Sequence, residues 1–342
     1  MTQQPISLAT PADTLAAVPA LLGFTPENSV VALALAATEP HRRTVVALAR
    51  IDSDGAEVAA DQIATALARQ KMADAPVVAV VLVAVADIAH TGAALGGIDA
   101  LRAAFAAHNV DTISALHTYA LAEGSTYTDL DHGTDGIITD TAANAVAATR
   151  AVVEGATIVG RRADITARFE PGDTRIEEYV GLYAAATMGE DFLPITFDEL
   201  AAVIHAREIP GADLISRVAL ALATDRVEVR DAFLAMAMHG HQEAADAFTH
   251  IGVRTDSGIS RAHALSIAAY FLYCTGNGAA ANAAIEAVES TARIHGFAVP
   301  SFTALLTRAL NAGMPPHEVA AIADAITPQY VAEHIGRVQS YR

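Results

Sequence analysis

Apolar positions at helical spacing open the chain: Leu15, Val18, Leu21 and Leu22 fall on one helical face. Gly23 and Pro26 stop that helix, because glycine leaves the helical region easily and proline cannot continue it. The next run, Ser29 to Ala36, is apolar throughout and bounded by turn residues, which predicts a buried strand. Thr44 to Ile51 reads as a second strand. The seven residues between them, Ala37 to Arg43, are too few for a parallel crossover, so the two strands should pair antiparallel. Asp52-Ser53-Asp54-Gly55 supplies turn and cap chemistry for a helix to about Gln70, with Ala59, Ile63, Ala66 and Leu67 as its apolar face. Val77 to Val85 shows no alternation, as expected of a central strand covered on both faces. Gly92 to Gly97 reads as a loop into a helix with Ile98, Leu101 and Phe105 on one side. Val110 to Leu121 is then a fourth strand, and Tyr127 to Leu130 a short fifth. The order β-β-α-β-α-β predicts an α/β sandwich with a mixed sheet.

From about Ala142 the strand signals stop. Helical patterns run from 142–154 through 328–338, separated by Pro171-Gly172, Pro210-Gly211, Gly240, Gly276-Asn277-Gly278, Pro300 and Pro315-Pro316. Two domains are therefore expected, an α/β domain over 1–145 and an all-α domain over 146–342. Arg261–Thr275 and Ala279–His295 have the length of a tetratricopeptide-like hairpin, with Pro300 where a repeat would end. The diagnostic Trp, Gly and Tyr positions are not filled, so a helical-hairpin array and an irregular bundle both remain open.

Composition narrows the function classes. With 53% hydrophobic and 18% charged residues over 342 positions, the chain is globular. Tryptophan is absent and aromatics make up only 5%, so the cores must be built of Ala, Val, Leu and Ile. A net charge of −18 argues against nucleic acid and against anionic membrane surfaces, both of which need clustered basic residues. Cys274 is the one cysteine, so no intrachain disulfide can form, and its apolar helical surroundings predict an inert buried thiol. The opening MTQQPISLATPAD has no basic or apolar leader pattern, and the longest apolar run, Pro76 to Ala86, is short for a bilayer. A cytoplasmic location is expected.

Several segments carry a resemblance. The helix ending LAAVPALLGF, then TPENS, then VVALALA resembles the opening motif of DUF4192, an actinobacterial domain of unknown function. Ala49-Arg50-Ile51-Asp52, Gly160 to Ile165 (GRRADI), Val229-Arg230-Asp231-Ala232 and Thr275 to Asn282 (TGNGAAAN) fit the same family in order. The family pattern often has cysteines after the fourth strand. Tyr127 to Gly136 has none here, so the resemblance carries no thiol or metal ligand onto that segment. It implies a family without implying a reaction.

Candidate chemistry is sparse. Gly276-Asn277-Gly278-Ala279-Ala280-Ala281 matches a dinucleotide pattern but follows a helix instead of a strand, so it reads as a tight link between helices. Phosphate-loop and nucleophile-elbow motifs are missing from the sequence. Thr91 to Gly97 lies between strand and helix and could offer N–H groups to an anion, although no basic residue assists. Asp129, Asp131, Asp135 and Asp140 alternate like calcium ligands, but the sixth loop position is Thr134 and not glycine, so a polar turn is expected. His239, His241 and His250 with Glu243 form the densest histidine cluster; solvated or capping histidines are expected in place of a metal site.

The strongest constellation lies in the α/β half. His117 and Tyr119 share one face of strand four. Arg50 and Asp52 end strand two, and its antiparallel pairing brings them to Glu27 and Ser29 at the start of strand one. Polar groups converging at a sheet end are a usual small-ligand position, and here they also suit a plain turn held by an ion pair. The expected function is a non-catalytic interaction or scaffold protein that binds a protein partner through its helical domain, without cofactor or metal. The alternative is an enzyme or sensor of a small anionic metabolite, with its pocket at the domain junction, His117 as acid or base and Arg50 holding the anion.

Overall fold

The computed structural model describes residues 10–39, 42–72, 74–139, 159–173, 176, 179–224, 226–255 and 258–339. Its contacts divide the chain into two units, Met1–Asp164 with Asn311–Gly313, and Ile165–Leu310 with Met314–Arg342. The expected boundary at 145/146 and the expected helix over 142–154 lie outside the described residues. The next described strand, Val159–Arg161, belongs with the first unit.

The first unit begins with α1 (Pro11–Leu22), started by a reciprocal capping box between Thr10 and Asp13 and ended at Gly23, whose φ of 84° a side chain would resist. It continues through β1 (Phe24–Thr25), β2 (Ser29–Glu39), β3 (Arg42–Asp52), α2 (Ser53–Ala68), β4 (Lys71–Met72), β5 (Ala75–Val85), α3 (Thr91–Ala107), β6 (Asp111–Thr118), β7 (Thr126–Asp129), β8 (Thr134–Ile137) and β9 (Val159–Arg161). The main sheet runs β3-β2-β5-β6-β7-β8, with β4 paired to β5. β2 is antiparallel to both β3 and β5, whereas β5 and β6 are parallel, so the sheet is mixed as expected. A separate pair joins β1 and β9 in parallel.

The unalternating strand β5 sits between β2 and β6 and is buried from Ala79 to Val85, on both faces. On one face Val30, Ala32, Leu82, Ala84 and Ala115 form a core with α2 and α3. On the other, Val31, Leu33, Val83 and Leu116 are equally buried. Two expectations need correction. The buried face of α2 is Ala56, Ala60, Ala64 and Leu67, with Ile63 only partly covered and packed at its side, because the smallest side chains let the helix lie closest. Gly92 to Gly97 is the first part of α3 and not a loop. Glycine at 97 reflects crowding: a Cβ there would stand 2.5 Å from the Ala56 Cβ.

The second unit is helical: α4 (Arg162–Ala167, which starts just inside the first unit), α5 (Tyr179–Met188), α6 (Phe192–Ala206), α7 (Ala212–Leu222), α8 (Val227–Ala232), α9 (His241–Arg254), α10 (Gly258–Cys274), α11 (Gly278–His295), α12 (Ser301–Asn311), α13 (Pro316–Ala320) and α14 (Pro328–His334), with 3-10 turns between some of them. Past residue 150, the described β-structure is β9 and a lone bridge, Ile176–Thr255. α10 is buried without interruption from Ala264 to Tyr273 and is packed by α7, α9, α11 and α13. α10 and α11 form a hairpin joined at Gly276, where φ is 80°, but the surroundings are those of a bundle about one central helix.

Buried arginines tie the helical segments together. Arg261 on α10 donates to the carbonyls of Gly252 (2.7 Å) and Phe169 and to Thr291 Oγ1 (3.3 Å). Arg217, 2% exposed, reaches Asp213 (2.8 Å) and Glu199 (2.5 Å). Arg230 pairs with Asp231 and lies 5.1 Å from the centre of the Phe302 ring.

The α2–α3 contact gives a direct test. Gly97→Val should lower unfolding stability by about 1–3 kcal/mol, since neither backbone can move aside without disturbing the core. Urea denaturation of the full chain checks this; an unchanged midpoint would mean the helices are not packed at Gly97.

Candidate functional site

The end of the sheet where β2 begins gathers most of the sequence-predicted residues. After α1 and β1 the chain turns through Pro26 to Asn28, and Asn28 adopts a φ of 43°. The Ser29 hydroxyl donates to the Glu27 carbonyl at 2.5 Å and accepts from Arg50 Nε at 2.8 Å. Arg50 also approaches the Glu27 carbonyl (3.4 Å) and the Asp52 carboxylate (2.5 Å). The antiparallel register that sets Ser29 opposite Asp52, and Val31 opposite Arg50, makes these contacts possible. Ser29 is fully buried and the Arg50 side chain nearly so, while the Asp52 side chain is 66% exposed.

Two arginines that the sequence reading did not place here complete the cluster. Because β9 pairs with β1, Arg161 reaches the Glu27 carboxylate (3.3 Å) and Arg162 the Asp52 carboxylate (3.7 Å). The Arg161 N–H also donates to the Asp164 side chain. Thus TPENS, ARID and GRRADI, three of the segments behind the family resemblance, meet at one place. Strand periodicity carries no information on a pairing between residues this far apart; their shared membership of those segments was the available signal.

Beside this cluster, Asn28 and Asp87 hold each other reciprocally, side chain to backbone at 3.0 Å and side chain to side chain at 3.3 Å. Asp87 also receives the His90 ring at 2.8 Å. That bond holds the Asp87 carboxyl below its ordinary value and raises His90. Both groups lie on the surface, at the turn into α3.

The structure does not bring His117 and Tyr119 into the cluster. Register rows place Ile51, Val30, Ala84 and His117 on the helix-covered face, and Asp52, Ser29, Val85 and Thr118 on the opposite one. His117 therefore shares the sheet end with Arg50 but points away from it. Tyr119 follows the end of β6, is 57% exposed, and meets the His117 ring edge-on at 5.1 Å. Burial pushes His117 below its ordinary value, only partly offset by hydrogen bonding to the Ala86 backbone, and its buried Nε2 has no partner among the described residues. A depression of ≈ 390 Å³ near Arg102, Asn109 and Asp111 lies at the far end of β6, so none of these groups line it.

The remaining candidates, apart from Asp140, which lies outside the described residues, are accounted for by local structure. Asp129 accepts the N–H groups of Asp131 and His132 and pairs with the His132 ring at 3.0 Å. Burial would push its carboxyl up, but these bonds outweigh that and hold it down. Asp131 accepts from the Ala115 N–H and Arg102, and Asp135 from Thr128, so the three carboxylates serve a turn. His239 lies against His205 (5.8 Å between ring centres) and His241 against Phe271 (6.0 Å), while burial lowers His239, His241 and His250 alike. Among the described residues, no group of three or more His, Cys, Asp or Glu side chains is arranged to hold a metal ion. Burial pushes the Cys274 thiol up to about 11, which keeps it protonated and unreactive at neutral pH. Asn277 caps α11 through the Ala280 N–H, and this explains the glycine-rich sequence around it.

Arg50→Met should cost about 1–3 kcal/mol in urea unfolding, because it leaves the buried Ser29 hydroxyl without its guanidinium donor. Asp52→Asn, at an exposed carboxylate, should cost less than about 1 kcal/mol. Equal effects would contradict the cluster as described. For His117 the folded ring binds its proton less readily than the unfolded one, whose value is near 6.5. Its share of stability is therefore complete above that pH and is lost as pH falls below it toward the folded value. His117→Gln should flatten the dependence of unfolding free energy on pH between about 7 and 5.

Comparison with known proteins gives a family and no activity. The model of DUF4192, described as a domain of unknown function, matches residues 11–317. No curated protein and no solved structure matches the chain.

Proposed function

Starting from a chain that belongs to the DUF4192 family, a domain of unknown function, we propose a non-catalytic interaction or scaffold protein whose helical unit carries the partner-binding surface. The observation behind this reading is α5. Its small residues, Gly181 and Ala184, face inward, where the Gly181 N–H donates to Ser216 Oγ at 2.7 Å on α7. Its large apolar residues face outward: Leu182 is 56% exposed and Tyr183 72%. A helix apolar on every side normally sits in an interior, so an outward apolar face on α5 suits a surface that another protein covers. The chemistry elsewhere supports the same reading: the sheet-end groups engage one another, and the candidate base His117 is on the wrong face to act with Arg50. The net charge of −18 weighs against nucleic acid as the partner.

A second reading retains one specific observation. Three guanidinium groups, Arg50, Arg161 and Arg162, meet at Glu27 and Asp52, a grouping that could trade carboxylate contacts for a small anion in a sensor or enzyme. A cytoplasmic location belongs to the proposal as well, on the strength of a single cysteine that cannot form an intrachain disulfide. Among the described residues, no helix is long and apolar enough to cross a membrane.

The test is affinity capture from native lysate with the full tagged chain, beside the double variant Leu182→Glu/Tyr183→Glu. Both substitutions are at exposed positions, so thermal stability should hold within about 0.5 kcal/mol. A stoichiometric partner retained by the wild type and absent from the variant is expected. Recovery of no such partner sinks the interaction reading.

A further inference from the structure

We propose that Asn277 is a spontaneous deamidation site, and that the cap it forms on α11 holds the reaction back while the chain is folded. This goes beyond the interaction reading and does not depend on it. Six asparagines occur in the sequence, at 28, 109, 144, 277, 282 and 311, and 277 is the one followed by glycine. The reaction is an attack along the main chain, so the following residue governs it. The Gly278 amide nitrogen loses its proton and bonds to Asn277 Cγ, the Cγ–Nδ2 bond breaks, and ammonia leaves with that proton. Water then adds to either carbonyl of the cyclic imide, leaving aspartate or its isomer joined through the side-chain carboxyl. A Cβ on the following residue obstructs ring closure. Gly278 has none, and glycine turns its backbone most freely.

The structure supplies both the nucleophile and its restraint. The Gly278 N–H is the first in α11, and among the described residues it has no hydrogen-bond partner. Asn277 and Gly278 are both half-buried at the α10–α11 joint, so water reaches them. Opposing the attack, Asn277 is held on every side. Its Oδ1 accepts from the Ala280 N–H at 3.1 Å, its carbonyl from the Ala281 N–H at 3.0 Å, and its own N–H donates to the Leu272 carbonyl at 3.0 Å. Carrying Cγ onto the Gly278 nitrogen breaks the first of these bonds and turns the peptide that the second one fixes. The reaction must therefore wait for the start of α11 to open locally. Its two products differ in what they do to the fold. Aspartate at 277 can still cap, and its charge suits a helix N-terminus. The isomer puts an extra methylene into the main chain just before α11, and so moves the cap out of register with Ala280.

The test incubates the full chain in mildly alkaline buffer, folded and in denaturing guanidinium chloride. Mass spectrometry of the peptide holding Asn277 follows the exchange of NH2 for OH. In denaturant, Asn277 should convert faster than any other asparagine. In the folded chain its conversion should be at least about tenfold slower, because the cap and the backbone bonds beside it must open first. Gly278→Ala has Leu310 as the nearest side-chain neighbour of its added Cβ, at 3.8 Å, so it should fold as the wild type does. It should nevertheless convert severalfold more slowly in denaturant. Asn277→Asp should unfold at a urea midpoint no lower than the wild type, since aspartate caps as well as asparagine. The proposal is overturned if Asn277 converts no faster than the other asparagines in denaturant, or if Gly278→Ala leaves that rate unchanged. It is equally overturned if the folded chain converts as fast as the denatured one, or if Asn277→Asp lowers the urea midpoint, which would mean that residue 277 does not cap α11.

Discussion

Near-contact between backbones, allowed by residues with little or no side chain, is the constraint on which both units rest. With no tryptophan and 5% aromatics, the chain concentrates its large rings in the helical unit, where Phe197, Phe233, Phe248, Phe271 and Tyr270 are buried together, and elsewhere its layers lie close. The same solution recurs at separate sites: Gly97 against Ala56 between α2 and α3, and Gly181 against the Ser216 backbone between α5 and α7. In each case an added Cβ would come within 2.6 Å of its neighbour, closer than packed atoms tolerate. Alanine richness in this chain is thus a packing requirement, and helix propensity is its by-product.

Against that thin core, polar groups act as fasteners. In the first unit, Arg50, Arg161 and Arg162 fix the turn before β2 to the end of β3 and to β9 through Glu27, Ser29 and Asp52. In the second, Arg217, Arg230 and Arg261 hold helices and loops that alanine contacts alone would bind weakly. A guanidinium serves both roles because its planar fork satisfies several oxygens at once. Because these polar residues engage one another, recognition is proposed instead at the exposed apolar side of α5. The function proposed for the chain follows from that contrast.

Much of this was legible in the sequence, for identifiable reasons. The unbroken run at Val77–Val85 suggests a covered central strand, and the short link after Ala36 favours the antiparallel pairing that sets Arg50 and Asp52 beside Ser29. Period-two reasoning also placed His117 and Tyr119 together. It could not say that His117 and Arg50 occupy opposite faces, because face assignment across strands needs the register, and register is a property of the assembled sheet. An apolar face of α2 centred on Ala59 and Ile63 is one position off, since Ala60 and Ala64 make the closer contact, while Leu67 is buried as expected. Arg161 and Arg162 were invisible to any local rule, since only the pairing of β1 with β9 brings them to Glu27 and Asp52.

One consequence follows from the choice of arginine for the interior joints. A guanidinium is a rigid planar fork where lysine has a flexible stem and a primary amine, so the joints at positions 217, 230 and 261 are built without that amine. Lysine in the same places would have left each joint open to acylation. This chain has a single lysine, Lys71, and it lies in β4 of the first unit. The cations gripping the helical bundle are thus of a kind that lysine acylation cannot unfasten.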